Sequence, residues 1–200
     1  TASTGMDALS QAIESHWSVN STDKSKKYAK EAMQLAYENL LQAVNFPTEE
    51  TRSAMSKAAY LAGKAIDISR TTACHAISYP ITSYFHVPHG HAVALTIPSM
   101  LKFNYEVETG DVLDKRGADY VKRNIEEIVE VLGEKNIENA SSKITDLMKT
   151  IGLKTGLAEL NVKTEEEREV IIKNGFDPER VKNNPRKLTE ESLRKILQDL

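Results

Sequence analysis

The stretch Thr71-Thr-Ala-Cys-His-Ala-Ile-Ser-Tyr-Pro-Ile-Thr-Ser-Tyr-Phe-His-Val-Pro-His-Gly90 decides how this chain is read. It carries two imidazoles, His75 and His89, fourteen residues apart, the second inside a Pro-His-Gly turn. From Cys74 to Phe85 it reads as a helix, with Pro80 bending it or opening a new turn. Asp7 and Gln11 stand four residues apart near the start of the chain. On a helix that spacing puts both side chains on one face, one turn apart. A carboxylate, an amide oxygen and two imidazoles suit a borderline divalent metal. The set points to an enzyme site rather than to a generic helical domain.

Working outward, the pattern is helical nearly everywhere. Asp23 to Val44 repeats apolar residues at Tyr28, Ala32, Leu35, Ala36, Leu40 and Ala43. Pro47-Thr-Glu-Glu50 reads as a helix start, with the helix running to about Ile68 on a stripe of Ala54, Ala58, Leu61, Ala62 and Ala65. Val93 to Lys102 is a core helix that Pro98 bends or restarts. Tyr120 to Leu132 is helical and Gly133 stops it. Ile144, Leu147, Met148 and Ile151 form another helix, closed by Gly152, and Thr189 caps a last one. No alternating strand pair, internal repeat or G-x-G-x-x-G loop is found, so the fold class is all-α.

The net charge of −3 provides no basic footprint for nucleic acid or anionic lipid. No apolar run reaches the ~20 residues of a membrane span. A single cysteine, Cys74, excludes an internal disulfide and suits a reducing cytoplasm; it reads as a small buried helix residue. Short charge runs such as Lys24-Ser-Lys-Lys27 read as solvated helix faces, and His16 and Trp17 as surface or packing residues.

The combination of Gly5-Met-Asp-Ala-Leu9, Ala12-Ile-Glu14, His75 and Pro88-His-Gly90 resembles the iron-containing (group III) alcohol dehydrogenase family, along nearly the whole chain. The ending Asn183-Asn-Pro-Arg-Lys-Leu-Thr-Glu-Glu191 resembles that family's final turn and helix. The resemblance implies the multi-helix C-terminal metal domain of the dehydroquinate synthase-like fold, spanning residues 1–200. It also implies that the α/β nucleotide-binding domain lies outside this chain, which begins at Thr1 and is read as the C-terminal piece of a longer protein. By resemblance, Asp7, Gln11, His75 and His89 are the ligands of Fe(II) or Zn(II). Gln11 stands where the family usually has histidine, and offers a neutral carbonyl oxygen instead, ligating directly or through water. It also keeps open a metal-free domain whose role is assembly.

Tyr79 replaces another family histidine. It either donates a proton or orients the alcohol, or else packs as an aromatic wall. The local wording Ser69-Arg-Thr-Thr-Ala-Cys-His75 is similar to a branch that reduces phosphonoacetaldehyde to 2-hydroxyethylphosphonate. Arg70, Thr71 and Thr72 are then the phosphonate site, at a helix N-terminus that favours anions, or else Arg70 is a surface residue and the threonines cap the next helix. Of the neighbouring histidines, His86 is expected to be exposed and His91 to line the pocket mouth. The expected partners are a small aldehyde or alcohol, NAD(P)H in the full-length protein, and further copies of the chain as a homo-oligomer. A reductase of a simple small aldehyde or diol is the rival reading.

Overall fold

The computed structural model describes residues 1–200 as ten α-helices and one short 3-10 turn. There is no sheet; an isolated antiparallel bridge joins Val112 and Arg186. The helices are α1 (Ala2–Trp17), α2 (Asp23–Asn45), α3 (Glu49–Ser69), α4 (Ala73–Phe85) and α5 (His89–Tyr105). They continue as α6 (Ala118–Val131), α7 (Ile137–Thr150), α8 (Glu165–Asn174), α9 (Pro178–Val181) and α10 (Glu190–Gln198), with the 3-10 turn at Leu157–Leu160.

The helix starts follow from local chemistry. Thr22, Thr48, Thr164 and Thr189 each accept the backbone N–H three residues on, satisfying one of the donors a helix leaves free at its N-terminus. In α2, α3 and α10 the reciprocal partner is Ser25, Thr51 or Ser192. Positive φ at Gly133 (+72°) and Gly152 (+79°) lets the chain turn after α6 and α7, as expected of both glycines. Both α4 and α5 run through their internal prolines, Pro80 and Pro98, without stopping.

α1 and α5 are the buried centre. Met6, Leu9, Ala12, Ile13 and Trp17 are wholly buried on α1, as are Val93, Ile97, Met100 and Leu101 on α5. α1 packs on α2, α3 and α5, and α5 packs on α4 and α7. Small residues on α3, among them Ala58, Ala62 and Ala65, let it lie close to its neighbours. His16 belongs to the packing: it is fully buried and contacts Glu127 of α6 at 3.0 Å. Burial lowers its pKa, against the pull of Glu127, so it stays neutral and donates to that carboxylate.

The end of α1 is sewn to the α3–α4 turn by buried hydroxyls. Trp17 Nε1 donates to Thr72 Oγ1 (2.9 Å), Ser18 Oγ to the Ser69 carbonyl (2.7 Å) and Ser69 Oγ to Ser15 Oγ (2.7 Å). At the other end, α5 meets α1 at Gly90. A Cβ there would lie 2.1 Å from the Ser3 carbonyl oxygen and 2.7 Å from Asp7 Cβ. The glycine of the Pro-His-Gly turn is thus what lets His89 stand beside Asp7. Gly63 of α3, by contrast, has nothing within 4 Å of such a Cβ. We therefore expect Gly90→Ala to destabilise by about 1–3 kcal/mol through overpacking against backbone. Gly63→Ala is expected to stabilise by about 0.5–1 kcal/mol through helix propensity. Urea unfolding of the two variants checks this, and equal effects would contradict it.

Candidate metal and substrate site

Three helices converge on one small space. Asp7 comes from α1, His75 from the first turn of α4 and His89 from the first residue of α5. One ligand atom from each lies within 4.8 Å of the others. Asp7 Oδ1 is 3.5 Å from His75 Nε2 and 3.9 Å from His89 Nε2. His75 is buried, while His89 and Asp7 are partly open.

The orientation of both rings is set from behind. His75 Nδ1 faces Glu14 Oε2 in a close contact. Ser78 Oγ donates to the His75 carbonyl (2.7 Å), so its oxygen is free to accept the Nδ1–H of His89, at a long 3.4 Å. Both Nε2 atoms are thereby turned toward Asp7 Oδ1. Asp7 Oδ1 and His75 Nε2 are buried atoms with no hydrogen-bond partner. The two atoms face each other at 3.5 Å, a loose ion pair when His75 is protonated, and their convergence with His89 also suits a cation. A carboxylate oxygen with two imidazoles is a donor set that Fe(II) or Zn(II) accepts.

Gln11 takes part through its nitrogen: Nε2 donates to Asp7 Oδ2 at 3.0 Å. Asp7 is therefore held at one oxygen by the amide and presents the other to the histidines. The expected direct or water-mediated ligation by the Gln11 oxygen is a separate matter from this hydrogen bond, which leaves that oxygen free.

Glu14 belongs to the Ala12-Ile-Glu14 stretch that carries the family resemblance, and sequence alone assigns it no role. It is fully buried, and the spacing of Asp7, Gln11 and Glu14 along one face of α1 was the signal available. Burial would raise its pKa, but the adjoining His75 and its hydrogen bonds hold it below the ordinary value. Burial would likewise lower the His75 pKa; Glu14 and Asp7 outweigh it and raise it to about 9 in the metal-free protein. His89 is shifted downward by burial, with His75 and Arg180 adding to the effect. Cys74 is fully buried, and burial pushes its thiol well up, so it is inert.

Beside this trio opens a cleft of about 880 Å³ whose walls include Gln11, His75, His89, Arg70, Thr71 and Arg180. Arg70 has φ +65° and ψ 166°, a conformation that belongs essentially to glycine. An arginine kept there at that cost points to a use for its side chain. Arg180, from α9, was not found by sequence, because a four-residue helix with no buried residue leaves no pattern. Its guanidinium donates to Thr71 Oγ1 (2.9 Å) and lies 4.7 Å over the Tyr79 ring. Tyr79 in turn stacks on His89, with ring centroids 5.9 Å apart.

Two expected substrate residues lie elsewhere. Thr72 is fully buried, its hydroxyl taken up between Glu14 and Trp17. His91 is buried 2.6 Å from the Lys154 carbonyl through Nε2, and is not on the cleft. His89, two residues earlier, faces the site, but two steps along a helix turn a side chain by about 200°, to nearly the opposite face. His86 is exposed, as expected, in a left-handed cap of α4.

An all-helical domain with a carboxylate–imidazole–imidazole trio at its centre defines the class: a helical domain with a candidate metal site. Residues 1–200 match the Fe-containing alcohol dehydrogenase family, C-terminal, and the chain belongs to that family. It is 34% identical over 193 residues to the phosphonoacetaldehyde reductase of Streptomyces viridochromogenes, covering 96% of this chain and 47% of that protein. It is 31% identical over 209 residues to the NAD-dependent methanol dehydrogenase of Bacillus methanolicus, covering 100% of this chain and 51% of the relative. The crystal structure of sulfoacetaldehyde reductase from Bifidobacterium kashiwanohense in complex with NAD+ superimposes with a TM-score of 0.85 and 34% identity, over 100% of this chain and 49% of that one. The chain thus spans about half the length of the curated relatives it matches.

The charge state of His75 has a measurable consequence. Its folded pKa is raised from 6.5 to about 9. The protonated ring therefore stabilises the metal-free fold in full below pH 6.5, and that contribution is lost as pH rises through about 9. Zn(II) must displace this proton. At about pH 7.5, calorimetry in buffers of different ionisation enthalpy is expected to show close to one proton released per Zn(II) bound. A binding enthalpy independent of the buffer would contradict it.

Proposed function

We propose that this chain is the metal and substrate domain of an NAD(P)H-dependent reductase acting on a small aldehyde with an anionic head group, phosphonoacetaldehyde being the leading candidate. The observation that carries the reading is the pair of unpartnered buried atoms, Asp7 Oδ1 and His75 Nε2, facing His89 Nε2 at the edge of an arginine-bearing cleft. Asp7, His75 and His89 would hold Fe(II) or Zn(II), which would supply Lewis-acid polarisation of a carbonyl.

The chain's own residues do the rest. Gln11 holds Asp7 in place, and Glu14 and Ser78 hold the two rings. Arg70 has no carboxylate partner, so its charge is available to a phosphonate or sulfonate; Thr71 lies beside it, already bonded to Arg180. Tyr79, stacked between His89 and Arg180, serves as the aromatic wall that keeps His89 in register rather than as the proton donor. Hydride would come from a nicotinamide nucleotide, held outside these 200 residues, which carry no phosphate-binding glycine loop and cover about half of their relatives. The reductase relatives in their names support an anionic two-carbon aldehyde. The methanol dehydrogenase supports the second reading, a small neutral alcohol or aldehyde.

The test is a substrate panel on the full-length, metal-loaded protein: phosphonoacetaldehyde, sulfoacetaldehyde and propanal with NADH and NADPH. A higher kcat/KM for the charged aldehydes is expected, and a preference for propanal would favour the second reading. Arg70→Gly separates the roles of this residue. It is expected to raise KM for the charged aldehyde about tenfold or more, leave propanal unaffected, and stabilise the fold by about 1 kcal/mol as the strained φ is relieved.

A further inference from the structure

We propose that Glu14 is a positioning residue for the metal, its two carboxylate oxygens having separate tasks: one ends a helix, and the other dictates which nitrogen of His75 carries the proton. The inference rests on the metal-site reading above and extends it to a residue that touches neither metal nor substrate.

The division of labour is explicit in the contacts. Glu14 Oε1 accepts from Thr72 N (3.2 Å), Thr72 Oγ1 (2.7 Å), Cys74 N (2.9 Å) and His75 N (3.3 Å). These are the free donors at the start of α4, where Thr72 makes no side-chain cap of its own. A side chain from α1 therefore caps α4 across the domain, with a negative charge placed where the helix dipole favours it. Oε2 has a single partner, His75 Nδ1. A carboxylate can only accept, so Nδ1 must hold a hydrogen. Nε2, the unpartnered atom facing Asp7 Oδ1, is then the nitrogen whose lone pair a cation can use.

Glu14→Gln isolates the second task. Four donors surround Oε1, so the amide oxygen must occupy that place and the amide NH2 the place of Oε2. The cap survives. The contact to His75 reverses: the amide donates, Nδ1 becomes the acceptor, and Nε2 carries a hydrogen pointed at the cation's position. The variant is expected to keep its helical circular dichroism yet bind Zn(II) about 10–100-fold more weakly in a chelator competition.

The second measurement is made on the parent protein, and so does not depend on the variant folding. With Zn(II) bound, long-range 1H–15N spectra should show His75 protonated at Nδ1 and unprotonated at Nε2. Equal Zn(II) affinity in a folded Glu14→Gln protein, or a His75 that bears its proton on Nε2, would overturn this inference while leaving the metal site in place. A parent protein that binds no Zn(II) would overturn the metal-site reading and this inference with it.

Discussion

The site depends on one buried carboxylate. Glu14 has no access to water and is surrounded by four donors on one oxygen and an imidazole on the other. An uncompensated carboxylate at that depth would be prohibitive. The compensation comes from the N-terminus of α4 and from His75, so folding brings α1 and α4 together to satisfy the charge. Trp17 and the serines Ser15, Ser18 and Ser69 continue the same seam with neutral hydrogen bonds.

From this seam the rest of the centre follows by helix geometry. Asp7 lies two turns before Glu14 on the same face of α1, with Gln11 between them to hold its second oxygen. His75 is in the first turn of α4, the turn that Glu14 caps, so its position is tied to the cap. His89 opens α5 and is admitted by Gly90, whose lack of a side chain allows backbone to approach backbone. Three helices meet at a point where each contributes one side chain able to bind a metal. The cost is visible as two unpaired polar atoms, which is how a binding site differs from a packed core.

The adjoining cleft is built from less regular parts. Arg70 sits at the end of α3 in a glycine-like conformation, and Arg180 arrives from a four-residue helix near the C-terminus. Both offer positive charge beside the ligands, while Asp177 pairs with Arg180 and keeps its guanidinium directed across the Tyr79 ring. Regular helices carry the Asp7, His75 and His89 trio, whereas the end of a helix and a four-residue helix carry the charge beside it.

By itself, the sequence determined the all-helical class, most helix starts and stops, and the residues Asp7, His75 and His89. These are local or periodic properties: threonine caps, apolar residues at helical spacing, and a histidine before a glycine that must pack closely. Only the tertiary structure decided that Gln11 donates to Asp7, that Thr72 and His91 turn inward, and that Glu14 and Arg180 belong to the site. Apart from the Gln11–Asp7 bond, which spans one turn of α1, each of those depends on groups tens of residues apart in the chain. A hydrogen bond between α1 and α4, or a cation crossing from α9 to Tyr79, has no period and no spacing, and exists only once burial has made an unpaired charge too costly to leave alone.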